Sequence, residues 1–226
     1  ESIAGMQWWF DGYNVNADTS PDVASDTGVS GGFQWNDLST NNRNAVQSDS
    51  AKFFTYVPSG LDGKGTIRFD GPDTLTFDPA TDTTKMIFAV MKQDGSQSLE
   101  TKPFGADLVT TSAGGKWGLK RQGVGLIDSG ISSSSGFAVL TFQIEGGAYV
   151  LYVNGTNMGE GTDSQTISAL NSLGGNFKGE IAEVVAYNRK LPGLAREKIE
   201  GYLAHKWGLE GSLPITHKYA VALPTF

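Results

Sequence analysis

The chain contains no cysteine. That removes disulfide staples, thiol nucleophiles and cysteine-ligated zinc together, while leaving the compartment open. Only two histidines are present, His205 and His217, and no Ser-His-Asp nucleophile context surrounds either. No apolar run approaches the ~20 residues that cross a bilayer, so membrane insertion is not expected. Positive charge is scarce as well. Seventeen Lys and Arg stand against 24 Asp and Glu, a formal net charge of −7. Nucleic acid and anionic membranes are therefore poor partners. No glycine-rich phosphate loop leads from a strand into a helix. No signal peptide stands at Glu1, so an exported protein carrying this sequence is read as excised from a longer polypeptide.

What the chain does have is turns. Thirty glycines, with abundant Ser, Thr, Asn and Asp, suit an all-β fold. At 226 residues it can bury a sizeable core without staples, and it is read as a single domain over 1–226. Residues 6–13 (MQWWFDGY) form an aromatic first strand. An Asn-, Asp- and Gly-rich loop runs from there to about Gly32. Gly65–Asp70 and Thr74–Asp78 alternate around Gly71-Pro72-Asp73. Lys85–Lys92 reads as a buried strand, with weaker strands at Pro103–Thr111, Lys116–Gln122 and Val124–Asp128. Phe137–Glu145 and Ala148–Val153 make a hairpin through Gly146-Gly147, and Asn154-Gly155 turns the chain again. Gln165–Leu173 is open between a helical turn and a loop.

The organising stretch is Gly179 to Leu209. Ile181, Glu183, Val185 and Tyr187 fall on one face of a strand, and Ala182, Val184 and Ala186 on the other. Both faces are apolar, which predicts a central strand covered on both sides. Pro192-Gly193 ends it. A helix follows, with Ala195, Ile199, Tyr202, Leu203 and Trp207 at helical spacing. Arg196, Glu197, Lys198 and Glu200 are expected to face water, and Gly208 is the stop. A lone helix of this length is marginal, so it must dock on the sheet. The fold class is therefore all-β, two packed antiparallel sheets with one C-terminal amphipathic helix.

Five segments carry a resemblance: Trp9-Phe10-Asp11-Gly12; Trp35-x-Asp37-x-Ser39 through Gln47; Phe69-Asp70-Gly71 with Asp73; Leu151 to Gly155; and Gly179 to Leu209, extended to His217 and Tyr219. Together they resemble the laminin-G-like, concanavalin A-like jelly-roll domains of bacterial secreted and surface proteins. Thr40 and Asn42 depart from that pattern, where similar domains carry glycines; Asn42 accepts a left-handed backbone, Thr40 poorly. The resemblance implies a jelly roll that often binds carbohydrate and sometimes calcium, in adhesins or beside glycan-degrading enzymes. It also implies an extracellular or cell-surface location and a monomeric domain within a longer chain. Some related adhesin modules bind peptides instead.

Candidate chemistry is sparse. A retaining glycosidase needs two carboxyl groups ~5–5.5 Å apart; Glu180 and Glu183, three apart on a strand, are expected on opposite faces, so no catalytic residue is assigned. Calcium takes six to eight oxygens. Asp73, Asp107, Asp128 and Asp163, with Asn176, can supply them, although no EF-hand or similar spacing is present. Of these, Asp107, Asp128, Asp73 and Asn176 are taken as the metal set. Asp37 and Asp70 are read as anchors of loop backbones. Sugar rings stack on aromatic faces while their hydroxyls need amides and carboxylates. Trp117, among Gly114, Gly115 and Gly118, is the candidate platform, although an ordinary core tryptophan is the slightly better reading. Asp107, Asp128 and Arg121 are its candidate polar partners. The function read from this is a non-catalytic, lectin-like module whose loops at one rim bind a cell-surface glycan with calcium. A calcium-dependent peptide-binding module, a glycan lyase or hydrolase, and a purely structural spacer are the alternatives.

Overall fold

The computed structural model describes residues 3–17, 28–29, 32–80, 85–95, 100–105, 108–111, 114–121, 126–164 and 170–226. Its strands are β1 (Met6–Asp11), β2 (Gly28–Val29), β3 (Gly32–Trp35), β4 (Ala45–Gln47), β5 (Thr55–Leu61), β6 (Lys64–Asp70), β7 (Thr74–Ala80) and β8 (Lys85–Gln93). They continue as β9 (Leu108–Thr111), β10 (Lys116–Arg121), β11 (Ile127–Ser132), β12 (Ala138–Glu145), β13 (Ala148–Val153), β14 (Thr156–Thr162), β15 (Leu170–Gly174) and β16 (Lys178–Tyr187). One helix, α1 (Gly193–Lys206), follows. Leu170–Gly174, expected to be a helical turn or loop, is thus a strand; residues 165–169 lie outside the described residues.

All strand pairs are antiparallel. One layer is an eight-stranded sheet in the order β14-β13-β12-β8-β16-β6-β5, with β1 also paired to β16. The other comprises a five-stranded sheet, β15-β7-β4-β3-β2, and a three-stranded sheet, β11-β10-β9. This is a jelly-roll-like sandwich, as the turn-punctuated strands require. Trp8, Phe10, Trp35, Phe69, Phe142 and Phe177 fill the space between the layers. The opposite face of the large sheet is equally apolar, through Met86, Phe88, Val90, Ala182, Val185 and Tyr187. There α1 lays down Ile199, Leu203, Ala204 and Trp207. Gly208, at φ +67°, stops the helix, and the Leu209 N–H closes back on the Ala204 carbonyl at 2.7 Å, a glycine C-terminal motif.

β16 does not keep simple alternation. Against β8, Ile181 pairs with Met91 but Glu183 with Val90, so Ala182 is an extra residue, a bulge. Ile181, Val184 and Ala186 face the sandwich interior, while Ala182, Val185 and Tyr187 face the helix. Parity therefore flips in mid-strand. The bulge also divides one edge of β16: residues 178–181 pair with β6 and 183–187 with β1. Gly12 caps the junction, its N–H donating to the Ala182 carbonyl at 2.7 Å. A Cβ there would lie 2.8 Å from that oxygen and from the Gly65 carbonyl oxygen, which accounts for glycine after Phe10-Asp11.

The flip corrects the expectation for the two glutamates: both project to the helix side. Glu180 meets Thr66 Oγ1 at 2.7 Å and Lys92 Nζ at 3.1 Å. Glu183 is fully buried and saturated with donors: Trp9 Nε1 at 2.7 Å, Trp207 Nε1 at 2.6 Å and Lys206 Nζ at 2.7 Å. Lys206 also binds Asp11 at 2.5 Å. Glu200 is corrected too, since it does not face water. It is buried, accepting from Thr141 Oγ1 at 2.8 Å and Arg196 Nη1 at 2.5 Å, with His217 Nε2 at 3.3 Å. The C-terminal segment covers that side of the helix, and His205 Nε2 lies 2.9 Å from the Tyr219 carbonyl oxygen. An amphipathic reading of α1 cannot see this segment fold back.

Burial pushes the Glu183 carboxyl up from 4.5 to about 7, against the pull of Lys206; Asp11 adds to the rise. Burial alone would lower Lys206, but Glu183 and Asp11 outweigh it and hold it above the ordinary lysine value. Two carboxylates share one ammonium, so the more deeply buried carboxyl keeps its proton longer. Because its folded value is raised, the stability contributed by Glu183 is complete below about 4.5 and lost as pH rises through about 7. Urea unfolding from pH 4.5 to 8 should show a fall of about 3 kcal/mol from this group, and Glu183→Gln should flatten it. An unchanged slope in the variant would refute the assignment.

Candidate functional site

The loop from Asn36 to Asn44 is built around one carboxylate. Asp37 Oδ1 accepts the N–H of Trp9 at 2.8 Å and of Ser39 at 2.9 Å. Its Oδ2 accepts Ser39 Oγ at 2.7 Å and the Arg43 N–H at 2.9 Å. The Asp37 N–H in turn donates to Asn44 Oδ1 at 2.9 Å. Aspartate is suited to this because a short acceptor-only side chain can satisfy several turn amides at once. The anchoring role expected of Asp37 is what the geometry shows. Asn42 takes the left-handed backbone, at φ +54°, while Thr40 is spared it. Asn41 Nδ2 reaches the Met6 and Gln7 carbonyls, each at 3.0 Å, and Arg43 Nη1 donates to Gln7 Oε1 at 2.9 Å. The loop is thereby stapled to β1.

Held this way, the loop forms one wall of a groove on the outer face of the five-stranded sheet. Asn42, Arg43, Asn44, Val46, Thr76, Phe77 and Asp78 line it, enclosing about 330 Å³ open to solvent. Val46 pairs with Thr76 across β4 and β7. On β7, Leu75 and Phe77 turn into the core while Thr76 and Asp78 turn outward. Val46 is 44 % exposed and forms an aliphatic floor. Neither Arg43 nor Asp78 is ion-paired with the other or with another described residue. Donor-only, acceptor-only and amide groups thus surround a small apolar surface.

Those of the residues singled out from sequence that are described lie elsewhere. Trp117 is 1 % exposed and packs in the sandwich interior, so it offers no face to a ligand; the core reading holds. Arg121 pairs with Leu108 in the backbone of β10 and β9. Asp107 lies outside the described residues. Asp128 is exposed on β11 and accepts the Gly130 N–H at 2.8 Å, with Lys116 Nζ at 4.0 Å. Asp73 is buried and accepts the Asp70 N–H at 2.6 Å. The anchor of that turn is therefore Asp73, and Asp70, expected to anchor it, is solvent-exposed beside Lys178. Asn176 ties residues 100–102 down, accepting the Lys102 N–H and donating to the Glu100 carbonyl, both at 2.8 Å. Among the described residues no three His, Cys, Asp or Glu side chains are grouped to hold a metal. Asp73 and Asp128 accept amide N–H groups of their own turns, and Asn176 bridges to residues 100–102, so all three side chains are already engaged.

Arg43, Asn44, Val46, Thr76 and Asp78 were not anticipated. A signal existed in the polar outward face of Thr74–Asp78. Its partner across the groove is brought up by a β4–β7 pairing that no local pattern encodes. A second hollow, of about 320 Å³, lies on the helix side, lined by Ile3, Met6, Trp9, Val185, Tyr187, Ile199, Tyr202 and Phe226. It is almost wholly apolar.

No protein-family model and no curated protein matches the chain. Solved structures do match. The sialidase of Trypanosoma rangeli, in complex with sialic acid, aligns with 91 % of this chain at 12 % identity and a TM-score of 0.61. The alignment takes in 34 % of the sialidase, so the chain spans about a third of that protein. Domain 4 of an extracellular arabinanase from Geobacillus stearothermophilus, in complex with arabinotriose, aligns over 84 % of this chain and 95 % of that domain. There the identity is 18 % and the TM-score 0.58. The binding domain of Paraclostridial mosquitocidal protein 1 aligns over 87 % of this chain and 52 % of that one, at 14 % identity and a TM-score of 0.53. At these identities the likeness shows the fold. It supports the jelly-roll sandwich without singling out the laminin-G-like group.

Replacing the loop's central carboxylate checks its role. Asp37→Ala strands the N–H groups of Trp9, Ser39 and Arg43 and should cost about 2–3 kcal/mol in urea unfolding. Amide exchange at Ser39 and Arg43 should accelerate in the variant; protection equal to that of the parent protein would show that the loop is held otherwise.

Proposed function

We propose that the chain is a non-catalytic carbohydrate-binding module and that the groove between the Asn36–Asn44 loop and β7 is its glycan site. One observation carries this. Arg43 and Asp78 face the same solvent-open groove without an ion-pair partner among the described residues, beside Asn42, Asn44 and Thr76 and above an exposed Val46. Sugar hydroxyls both donate and accept, so they complement a donor-only guanidinium, an acceptor-only carboxylate and amides that do both. The C–H face of a sugar ring complements Val46. The arabinanase domain matched over nearly its whole length, in a structure that holds arabinotriose, supports the reading at the level of class.

Absence of catalysis belongs to the proposal. The two glutamates nearest to a hydrolase pattern are engaged in separate buried networks, and Glu183 is closed to solvent. The proposed setting is a bacterial surface protein that displays the domain toward cell-surface glycans, where multiple copies would raise avidity. The proposal includes a calcium ion held by loop oxygens in addition to Asp73, Asp128 and Asn176, whose side chains already accept backbone amides, and chelation tests for it.

A glycan array followed by titration calorimetry, with calcium and with EDTA, tests the proposal. Arg43→Ala and Asp78→Ala should each weaken binding by about tenfold, with an unchanged unfolding midpoint for Asp78→Ala and a small drop for Arg43→Ala, which loses its bond to Gln7. Absence of any glycan signal in both conditions, or full binding by both variants, would overturn it. Chelator-sensitive capture of free peptide C-termini without sugar binding would favour the peptide-binding alternative.

A further inference from the structure

Resting on the groove as the glycan site, we infer that it selects neutral over acidic glycans and that Asp78 enforces the choice. Arg43 and Asp78 set the formal charge of the groove lining to zero: Asn42, Asn44, Val46, Thr76 and Phe77 carry none. An acidic sugar could pair with Arg43, but its carboxylate would then share a groove of about 330 Å³ with Asp78. Like charges brought together in a binding site act against the wrong partner. Among the described residues no second cation lines the groove to offset Asp78, and the chain's net charge of −7 adds a long-range term of the same sign.

A neutral sugar meets no such conflict. One hydroxyl can accept from the Arg43 guanidinium and donate to the Asp78 carboxylate, both charge-assisted bonds. Gln7 Oε1 takes one edge of the Arg43 guanidinium, which orients the side chain and leaves its remaining N–H groups for the ligand. Asp78 stands within β7 between Thr76 and Ala80, both of which pair with β15, at a register irregularity of that ladder.

The test uses matched probes. Neutral oligosaccharides bound by the protein are compared with the same oligosaccharides after oxidation of their primary C6 hydroxyls to carboxylates. Oxidation should weaken binding by about five- to tenfold at 50 mM salt. That penalty should shrink at 500 mM salt, where the Debye length is a few ångströms, while binding of the neutral forms stays constant. Asp78→Asn keeps the size and an acceptor but removes the charge; it should close the gap between the two forms. Oxidised probes bound as well as or better than neutral ones by the parent protein would overturn the selectivity and leave the glycan reading standing. A gap unchanged in Asp78→Asn would overturn the role of Asp78. Binding of neither form would remove the glycan reading as well.

Discussion

The structure depends on a buried carboxylate. Glu183 sits in the middle of the large sheet, closed to water, and accepts from two tryptophan indoles and a lysine contributed by β1, the end of α1 and the residue beyond it. Removing such a charge from water is costly, and only a full set of donors in good geometry offsets the cost. β16, the helix that follows it, and β1, 174 residues away, must therefore be in place together. The ion pairs and indole bonds add specificity of docking to the non-directional attraction of Ile199, Leu203 and Trp207 for the sheet. Glu200 repeats the device about two turns earlier along the helix, holding Arg196 and approaching His217.

From that clasp a short chain of contacts leads to the groove. Trp9 gives its indole N–H to Glu183 and its backbone N–H to Asp37. Asp37 holds the backbone of Arg43, and Gln7, two residues before Trp9, holds the Arg43 side chain. β1 thus has one face committed to the helix side and its neighbouring loop committed to the outer sheet. The groove is carried by strands β4 and β7 and by a turn whose amides are satisfied by Asp37. Sandwich folds host many functions on one scaffold. The matches at 12–18 % identity to a sialidase and an arabinanase domain show one sandwich scaffold carried by very different sequences.

Much of the fold was legible locally. The hairpin of β12 and β13 follows from alternation and a Gly-Gly link, and it pairs in register from Leu140 with Val153 to Glu145 with Ala148. The helix, its stop at Gly208 and its docking were read from spacing alone. The role of Asp37 was read from its place after an aromatic strand end. The same reasoning misassigned Asp70 and Asp73, because either residue of that short turn could have supplied the carboxylate and only the folded turn selects one. Trp117 misled as a ligand platform for a similar reason: flanking glycines mark an open backbone or a tightly packed one, and here the strand is packed.

Composition and periodicity by themselves determined the class of this protein: many antiparallel strands, one late helix, no thiol chemistry, an acidic surface. Those features rest on forces acting within about ten residues, namely alternation on a pleat, helical spacing and turn conformation. Tertiary structure alone decided the parity of β16, the burial of Glu183 and Glu200, and the meeting of Arg43 with Asp78. Each of these requires segments tens of residues apart to share one volume. A one-residue bulge at Ala182, which no local preference announces, exchanges the faces of everything after it.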